Sequence, residues 1–307
     1  MEDISMKKLK ILLKKYYILI PIIVAFSLFL VGCILFFCKE VNKRSDKLTM
    51  ISDCDLNQDV EENNDFDLKE KEMKMPTSVN ATIPIFMYHF VREDTGDYEY
   101  PENMMRPSML KSQLQYLKDN NFETIYISDI ENIHEYQKPV ALTFDDGWED
   151  FYINAFPLFK EYNMKATLYV ITSLIGTPGY CNLNELRELK ESGIVDIQSH
   201  TVSHPRLALL TLENAKKEMK DSKEYLKNNL DIDSDTICYP YGSFNCNVEN
   251  IAKELGYEYG LAMDGGIYYT QSHKDLYSIP RIYANRSMTL SSFSNFCNKS
   301  NVKVTWE

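Results

Sequence analysis

The stretch VALTFDDG, residues 140–147, decides the fold. A run of five residues typical of a β-strand is followed at once by two adjacent carboxylates, Asp145 and Asp146, and a glycine. Two neighbouring charges at a strand end are costly to place together. By itself this ending is also compatible with a solvated turn or a helix cap. The rest of the sequence therefore has to be used to decide whether the two aspartates are functional residues.

Similar strand-like runs recur outward from this stretch and alternate with amphipathic helices. The runs cover residues 83–88, 124–127, 140–144, 166–171, 195–198, 236–239 and 278–283. The clearest helix is predicted for residues 211–230 with Thr211 as its N-cap, and another over 247–255 is ended by Gly256. Strands that alternate with helices form parallel βα units. With six or seven units, the α/β class and a (β/α) barrel are predicted rather than an open sheet.

Two further strand-like runs end in motifs that can carry chemistry. SHTVSHP at residues 199–205 places His200 four residues before His204, and two such histidines can bind one metal ion, although a single pair of this kind is often a surface accident. YPYG at residues 239–242 is by itself a turn. In a βα barrel the carboxyl ends of the strands meet at one face, where active residues lie. The order of the motifs, each at a strand end, therefore indicates one site.

The motifs TFDDG at 143–147, SHTVSHP at 199–205 and YPYG at 239–242 resemble those of the polysaccharide deacetylases of the NodB-homology type, carbohydrate esterase family 4. The resemblance covers residues 83–297 and implies a distorted (β/α)7 barrel, in agreement with the strand pattern. It also implies a hydrolase that acts on N-acetylated polysaccharide and releases acetate from the acetamide of N-acetylglucosamine, with a divalent metal ion as cofactor.

The resemblance assigns roles residue by residue. Asp146, His200 and His204 match the metal triad, and one carboxylate with two imidazoles suits Zn²⁺ with positions left open for water and substrate. Asp145 matches the general base. The backbone N–H of Tyr241 matches the donor to the oxyanion.

The residue that would act as general acid and protonate the leaving amine does not follow the family's usual sequence pattern. The common pattern is Leu-x-x-x-His near the C-terminus, and the last histidine of this chain, His273, lacks that setting. His89 instead ends the run 84–89, which resembles the branch of poly-N-acetylglucosamine deacetylases whose barrel is circularly permuted and whose acid histidine is N-terminal. We therefore predict His89 as the acid. His273 is one alternative, and a purely structural, backbone-bonded His89 is another.

A second departure lies two residues before the proline of YPYG, where many members of the family have an arginine and this chain has Cys238. Arg281 is predicted to supply that charge, because a guanidinium fork suits a carboxylate. The alternative for Arg281 is a surface ion pair. Among the aromatic residues, Trp148 and Tyr241 are the best placed to line a sugar groove.

The N-terminal part of the chain predicts a membrane anchor. Residues 17–38 form a 22-residue run without a charge, which as a helix is long enough to cross a bilayer. Residues 1–16 are a basic tail that favours a cytoplasmic N-terminus, and residues 39–80 have the composition of a flexible linker. Residues 81–307 then form an extracellular catalytic domain held at the cell membrane by a single pass. A processing box at 30–33 leaves lipidation of Cys33 as an alternative.

Composition excludes some functions and leaves others open. The net charge of -12 argues against a nucleic-acid partner, and seven cysteines without a CxxC pair argue against a disulfide framework. The chain has no HExxH motif, which disfavours a peptide-cleaving zinc enzyme. An O-acetyl esterase and an inactive sugar-binding envelope protein remain alternatives. Peptidoglycan and exported poly-N-acetylglucosamine both fit as the polymer.

Overall fold

The computed structural model describes residue 76 and residues 78–93, 100–273 and 275–305. The predicted basic tail, the predicted anchor with Cys33, and residues 39–75 of the predicted linker lie outside the described residues. Within the described ranges, no helix combines the length and the apolar character that a membrane crossing requires.

The described residues form the following elements. The strands are β1 Ser78–Ile83, β2 Ile85–Tyr88, β3 Phe90–Val91, β4 Met104–Met105, β5 Glu123–Ile125, β6 Pro139–Phe144, β7 Ala166–Val170, β8 Val195–Ser199, β9 Thr236–Cys238, β10 Tyr259–Gly265, β11 Tyr268–Tyr269, β12 Ile279–Tyr283 and β13 Asn301–Thr305. The α-helices are α1 Pro107–Asp119, α2 Phe156–Tyr162, α3 Leu183–Glu191, α4 Leu212–Leu230, α5 Cys246–Glu254 and α6 Leu290–Cys297. A turn of π-helix, Phe151–Ala155, leads into α2.

Seven parallel strands close into a ring in the order β2, β6, β7, β8, β9, β10 and β12. The ring closes because β2 pairs with β6 on one side and with β12 on the other. Strand β5 pairs with the first half of β6 and lies outside the ring. This closed sheet confirms the predicted α/β class and fits a (β/α)7 barrel, and it gathers the carboxyl ends of the seven strands at one face.

The strand order explains why β6 and β7 read as continuous apolar runs. Every residue of both strands is buried, since one side of the sheet faces the barrel interior and the other faces the surrounding helices. Helices α1, α2 and α3 contribute the buried residues Leu114, Phe159 and Leu189 to the cluster outside the barrel. This packing therefore holds the ends of the barrel strands in fixed positions.

The predicted strand over residues 83–88 is interrupted by Pro84. Proline has no backbone N–H to donate to a ladder, and β1 and β2 consequently belong to different sheets. Strand β1 pairs antiparallel with β13 and with β11 in a small three-stranded sheet. This sheet begins at Ser78, within the segment whose composition predicted a linker.

The two predicted helices have the expected ends. The side chain of Thr211 accepts a hydrogen bond from the backbone N–H of Asn214 at 3.3 Å, which caps α4. Helix α5 ends before Leu255, and Gly256 follows with a left-handed φ of 73°. Strand β10 was not predicted from the sequence.

Candidate active site

The adjacent aspartates at the end of β6 face different partners. The backbone N–H of Asp145 donates to the Tyr88 carbonyl at 2.9 Å and so continues the pairing of β6 with β2. Asp146 and Gly147 then adopt left-handed φ values of 75° and 82°, and the chain turns sharply. A Cβ on Gly147 would lie 3.0 Å from a side-chain carbon of Val170, so the turn favours glycine. The turn separates the two carboxylates although they are neighbours in sequence.

Asp146 faces the two histidines that follow β8. Its Oδ1 lies 3.6 Å from Nε2 of His200 and 3.5 Å from Nε2 of His204. Its other oxygen, Oδ2, accepts a hydrogen bond from the indole N–H of Trp148 at 2.9 Å. The three ligand atoms lie within 4.8 Å of one another. Trp148 therefore orients the carboxylate so that one oxygen points at the histidines.

The histidines are held in the form that binds metal. Nδ1 of His200 donates to the Cys238 carbonyl at 2.7 Å, which leaves the lone pair of the ring on Nε2, beside Asp146. Burial lowers the pKa of His200. Burial, followed by the effect of the neighbouring His200, lowers the pKa of His204 to about 4. Both rings are therefore neutral at pH 7.

The donor set fits a divalent metal ion. Four ligands at 2.0–2.1 Å around a tetrahedral Zn²⁺ lie about 3.4 Å apart, close to the separations between Asp146 Oδ1 and the two Nε2 atoms. One oxygen and two nitrogen donors are also a set that zinc accepts in catalytic sites. Asp146, His200 and His204 would hold the ion.

Asp145 is paired with Arg281 in the interior of the barrel. The guanidinium donates from Nη1 to Oδ1 at 2.7 Å and from Nη2 to Oδ2 at 2.8 Å, and the two side chains are 0% and 2% exposed. The remaining donors of Arg281 reach the Thr143 hydroxyl at 3.0 Å, the Ala262 carbonyl at 3.0 Å and the Cys238 sulfur at 3.0 Å. This is a buried bidentate pair and not a surface contact.

The pair decides the ionisation of Asp145. Burial alone would raise the pKa of this carboxyl, but the charge and hydrogen bonds of Arg281 outweigh burial and hold the pKa well below its ordinary range. Asp145 is consequently an anion at neutral pH.

Of the two candidate acids, the structure brings His89 to the site. His89 directly follows β2, next to the bond between Tyr88 and Asp145, and it is 9% exposed. Its Nδ1 has no hydrogen-bond partner within the described residues, and its ring meets the edge of Tyr283. His273 instead stacks on Tyr269 of β11, in the small antiparallel sheet outside the barrel.

Tyr241 and Trp148 flank the candidate metal triad on different loops. Tyr241 has a left-handed φ of 58°, is 48% exposed and places its ring 4.5 Å from the ring of His204. The Trp148 ring stacks on Tyr180 at 4.2 Å and tilts against Phe90 at 4.5 Å.

Sequence reasoning missed several contributors. Thr143 stands two residues before Asp145, on the same side of β6, and this alternation could have identified it. Phe90 lies in the two-residue strand β3 and Tyr180 in the loop before α3, neither of them within a motif, and nothing in the sequence pairs them with Trp148. Cys238 was noted for what it replaces, whereas its carbonyl and its sulfur both contact site residues.

A barrel with an Asp-His-His cluster and a buried aspartate at the carboxyl ends of its strands has the organisation of a hydrolase with a candidate metal centre. A family model described as polysaccharide deacetylase matches residues 133–260. The poly-beta-1,6-N-acetyl-D-glucosamine N-deacetylase of Staphylococcus epidermidis is 29% identical over 242 residues, which cover 69% of this chain and 82% of that protein.

Two solved structures extend the comparison. The Streptococcus pyogenes deacetylase PplD, determined in complex with acetate, is 31% identical with a TM-score of 0.66, covering 73% of this chain and 99% of that one. The polysaccharide deacetylase BC0361 of Bacillus cereus is 26% identical with a TM-score of 0.67, covering 71% and 69%. This chain belongs to the polysaccharide deacetylase family, whose members are hydrolases that act on the acetamide C–N bond of N-acetylated sugars.

Proposed function

We propose that this chain is a metal-dependent N-deacetylase that removes acetyl groups from N-acetylglucosamine units of an exported polysaccharide. The observation that carries the proposal is the convergence of Asp146, His200 and His204 beside the ionised Asp145 and the buried His89. A sugar-binding protein has no need of a metal triad next to an aligned base.

The side chains present account for each proton in the reaction. A bound divalent ion would polarise the acetamide carbonyl and lower the pKa of a water molecule. Asp145 accepts a proton from the attacking water, and Arg281 keeps this carboxylate ionised and correctly oriented. The backbone N–H of Tyr241 donates to the oxyanion that forms on the carbonyl oxygen. His89 gives a proton to the amine as the C–N bond breaks, so that acetate and a free amino sugar are the products.

We further propose poly-N-acetylglucosamine as the polymer. Support comes from the staphylococcal relative, which is named for that substrate, and from the place of His89 directly after the first barrel strand. Peptidoglycan is the alternative that the comparison below tests. Removal of acetyl groups makes either polymer more cationic.

We also propose that residues 17–38 anchor the chain in the cell membrane with the catalytic domain outside. The support is the uncharged 22-residue run after a basic tail. Protease added to intact cells should then digest the domain, and protection of the domain until the cells are lysed would refute this placement.

Acetate release by the purified full chain tests the activity. β-1,6-linked N-acetylglucosamine oligomers, peptidoglycan fragments and an O-acetylated sugar would each be supplied with Zn²⁺ or with a chelator. We expect acetate from the β-1,6 oligomers with Zn²⁺ and none with chelator. Acetate from peptidoglycan alone would move the proposal to that polymer. Release from the O-acetylated sugar alone would identify an esterase instead.

A further inference from the structure

The loop over residues 200–204 carries two of the three candidate metal ligands on a strained backbone. Thr201 and His204 have φ values of 67° and 58°, in the left-handed region that residues other than glycine disfavour. A strained loop keeps its shape when its surroundings fix it from several sides. The contacts of the loop backbone therefore determine whether His200 and His204 are preorganised.

One side of the loop is fixed by the chain that follows β7. The backbone N–H of Thr172 donates to the Thr201 carbonyl at 3.1 Å, and the N–H of Ser173 donates to the Val202 carbonyl at 3.0 Å. These bonds satisfy carbonyls of the loop. They leave the backbone N–H groups of its middle residues to find acceptors elsewhere.

A single carboxylate on α4 accepts from the middle of the loop. Oε2 of Glu218 accepts the backbone N–H groups of Val202 at 3.0 Å and Ser203 at 2.8 Å, and Oε1 accepts the Ser203 hydroxyl at 2.6 Å. Helix α4 is itself fixed by buried residues such as Met219, which lies next to Glu218.

We propose that Glu218 is a positioning residue that sets the metal affinity of the site. Its carboxylate fixes the backbone between His200 and His204, so that both rings converge on Asp146 before metal arrives. The inference rests on the metal site of the proposed function. Partners that orient metal ligands typically change metal affinity about 10- to 100-fold when removed.

Three substitutions separate the reach of this side chain from its charge. Glu218→Asp keeps the charge but draws the acceptor back by one methylene group, whereas Glu218→Gln removes the charge but keeps an oxygen that can accept both N–H groups. Glu218→Leu removes every acceptor. Glu224→Asp and Glu224→Leu are matched controls, because Glu224 lies on the same helix and pairs with Lys220 at the surface.

Zn²⁺ affinity of the metal-free full chain would be measured by competition with a chromophoric chelator, with the melting temperature of each metal-free variant as a check on folding. We expect Glu218→Asp and Glu218→Leu to bind Zn²⁺ about 10- to 100-fold more weakly. Glu218→Gln and both controls should stay close to the parent. At saturating Zn²⁺, Glu218→Asp should regain most of the parent kcat.

Parent-like affinity in Glu218→Asp would overturn the proposal, and so would a loss in Glu218→Gln that Glu218→Asp does not show. If Glu218→Leu fails to fold, the Asp and Gln variants still decide between reach and charge. An absence of Zn²⁺ binding in the parent chain would refute the metal site itself, whereas binding that no Glu218 variant changes would refute this inference alone.

Discussion

Asp145 at the carboxyl end of β6 and Asp196 near the amino end of β8 lie in the same barrel, yet their pKa values shift in opposite directions. Burial tends to raise both. At Asp145, Arg281 outweighs burial and holds the pKa well below its usual range. At Asp196, burial raises the pKa to about 7, and the side-chain amide of Gln198 is the hydrogen-bond donor that reaches both carboxylate oxygens.

The opposite pKa shifts of the two aspartates come from the groups that contact them and not from burial alone. Lys165, a cation near the amino end of the barrel, pairs with Asp129 at 2.9 Å, and the charges of Asp235 and Asp129 add to the rise of the pKa at Asp196. The guanidinium of Arg281 is bound to the carboxylate of Asp145, at the opposite end of the barrel. The barrel therefore keeps an ionised aspartate where the proposed reaction takes place and tolerates a protonated one where none does.

The largest effect is expected for Asp145→Asn, which removes the proposed base. Acetate release should fall about 10²- to 10⁴-fold, the range that general bases contribute. Asp196→Asn is the matched control at the other end of the barrel and should keep the parent rate. Equal rates in the parent and Asp145→Asn would contradict the role of Asp145.

Replacing His89 should have a comparable effect, because the departing amine then lacks its proton donor. We expect His89→Ala to lower kcat about 10²- to 10⁴-fold while Zn²⁺ affinity stays unchanged. His273→Ala, in the small sheet, should leave kcat at the parent value. The reverse result, with kcat lost in His273→Ala alone, would transfer the acid to His273.

Arg281→Met should destabilise the fold by about 3–5 kcal/mol at pH 7, since it leaves the buried charge of Asp145 without a partner. The lowered pKa of Asp145 stabilises the parent above the unfolded-state pKa near 4, and that stability is lost as the pH falls below this value. In the variant, burial without Arg281 raises the pKa of Asp145, so the folded state takes up a proton as the pH falls from 7, and the difference between parent and variant should shrink toward pH 4. Urea unfolding at the two pH values measures it.

The double variant Asp145→Asn/Arg281→Met serves as the control for this experiment. Removing both charges should restore part of the lost stability, because no unpaired charge then remains in the barrel. A double variant no more stable than Arg281→Met would show that the guanidinium acts through packing and not through the pair.

Asp196→Asn should produce the smallest effect, with the opposite pH dependence. Because the folded pKa of Asp196 is raised to about 7, the folded state binds more protons than the unfolded state between about pH 4 and 7, and stability falls as the pH rises through this window. The Asn variant lacks that fall and should be about 1–3 kcal/mol more stable than the parent at pH 8, with little difference at pH 4. Asp233→Asn, at an exposed site, is the control, and identical pH profiles of Asp196→Asn and the parent would refute the assignment.

The parts of the fold that the sequence predicts are those where local pattern and burial agree. Strands β6 and β7 read as apolar runs because both sides of these strands are covered. Strand β10 lacks that pattern since Gly260 interrupts it, and the space a Cβ would need there is taken by the Tyr239 hydroxyl. The need for glycine at this tertiary contact thus removed the apolar pattern that would have predicted the strand.

The same distinction holds for the candidate site. Asp145, Asp146, His200 and His204 lie in short motifs at strand ends, where sequence spacing reflects spatial proximity. The contact between Arg281 and Asp145 spans 136 residues and became a hypothesis because an expected arginine was missing at Cys238. Glu218 has no motif, since its function depends on how α4 packs beside the loop of the histidines.

The small sheet has a mechanical consequence. Ser78 of β1 lies opposite Thr305 of β13, so the two ends of the described catalytic unit leave it side by side. A force that pulls these ends apart loads the antiparallel ladder from one end and opens its hydrogen bonds one pair at a time. The parallel strands of the barrel bear no load until that ladder has opened. A force between these two ends is therefore taken up by the small sheet before it reaches the candidate active site.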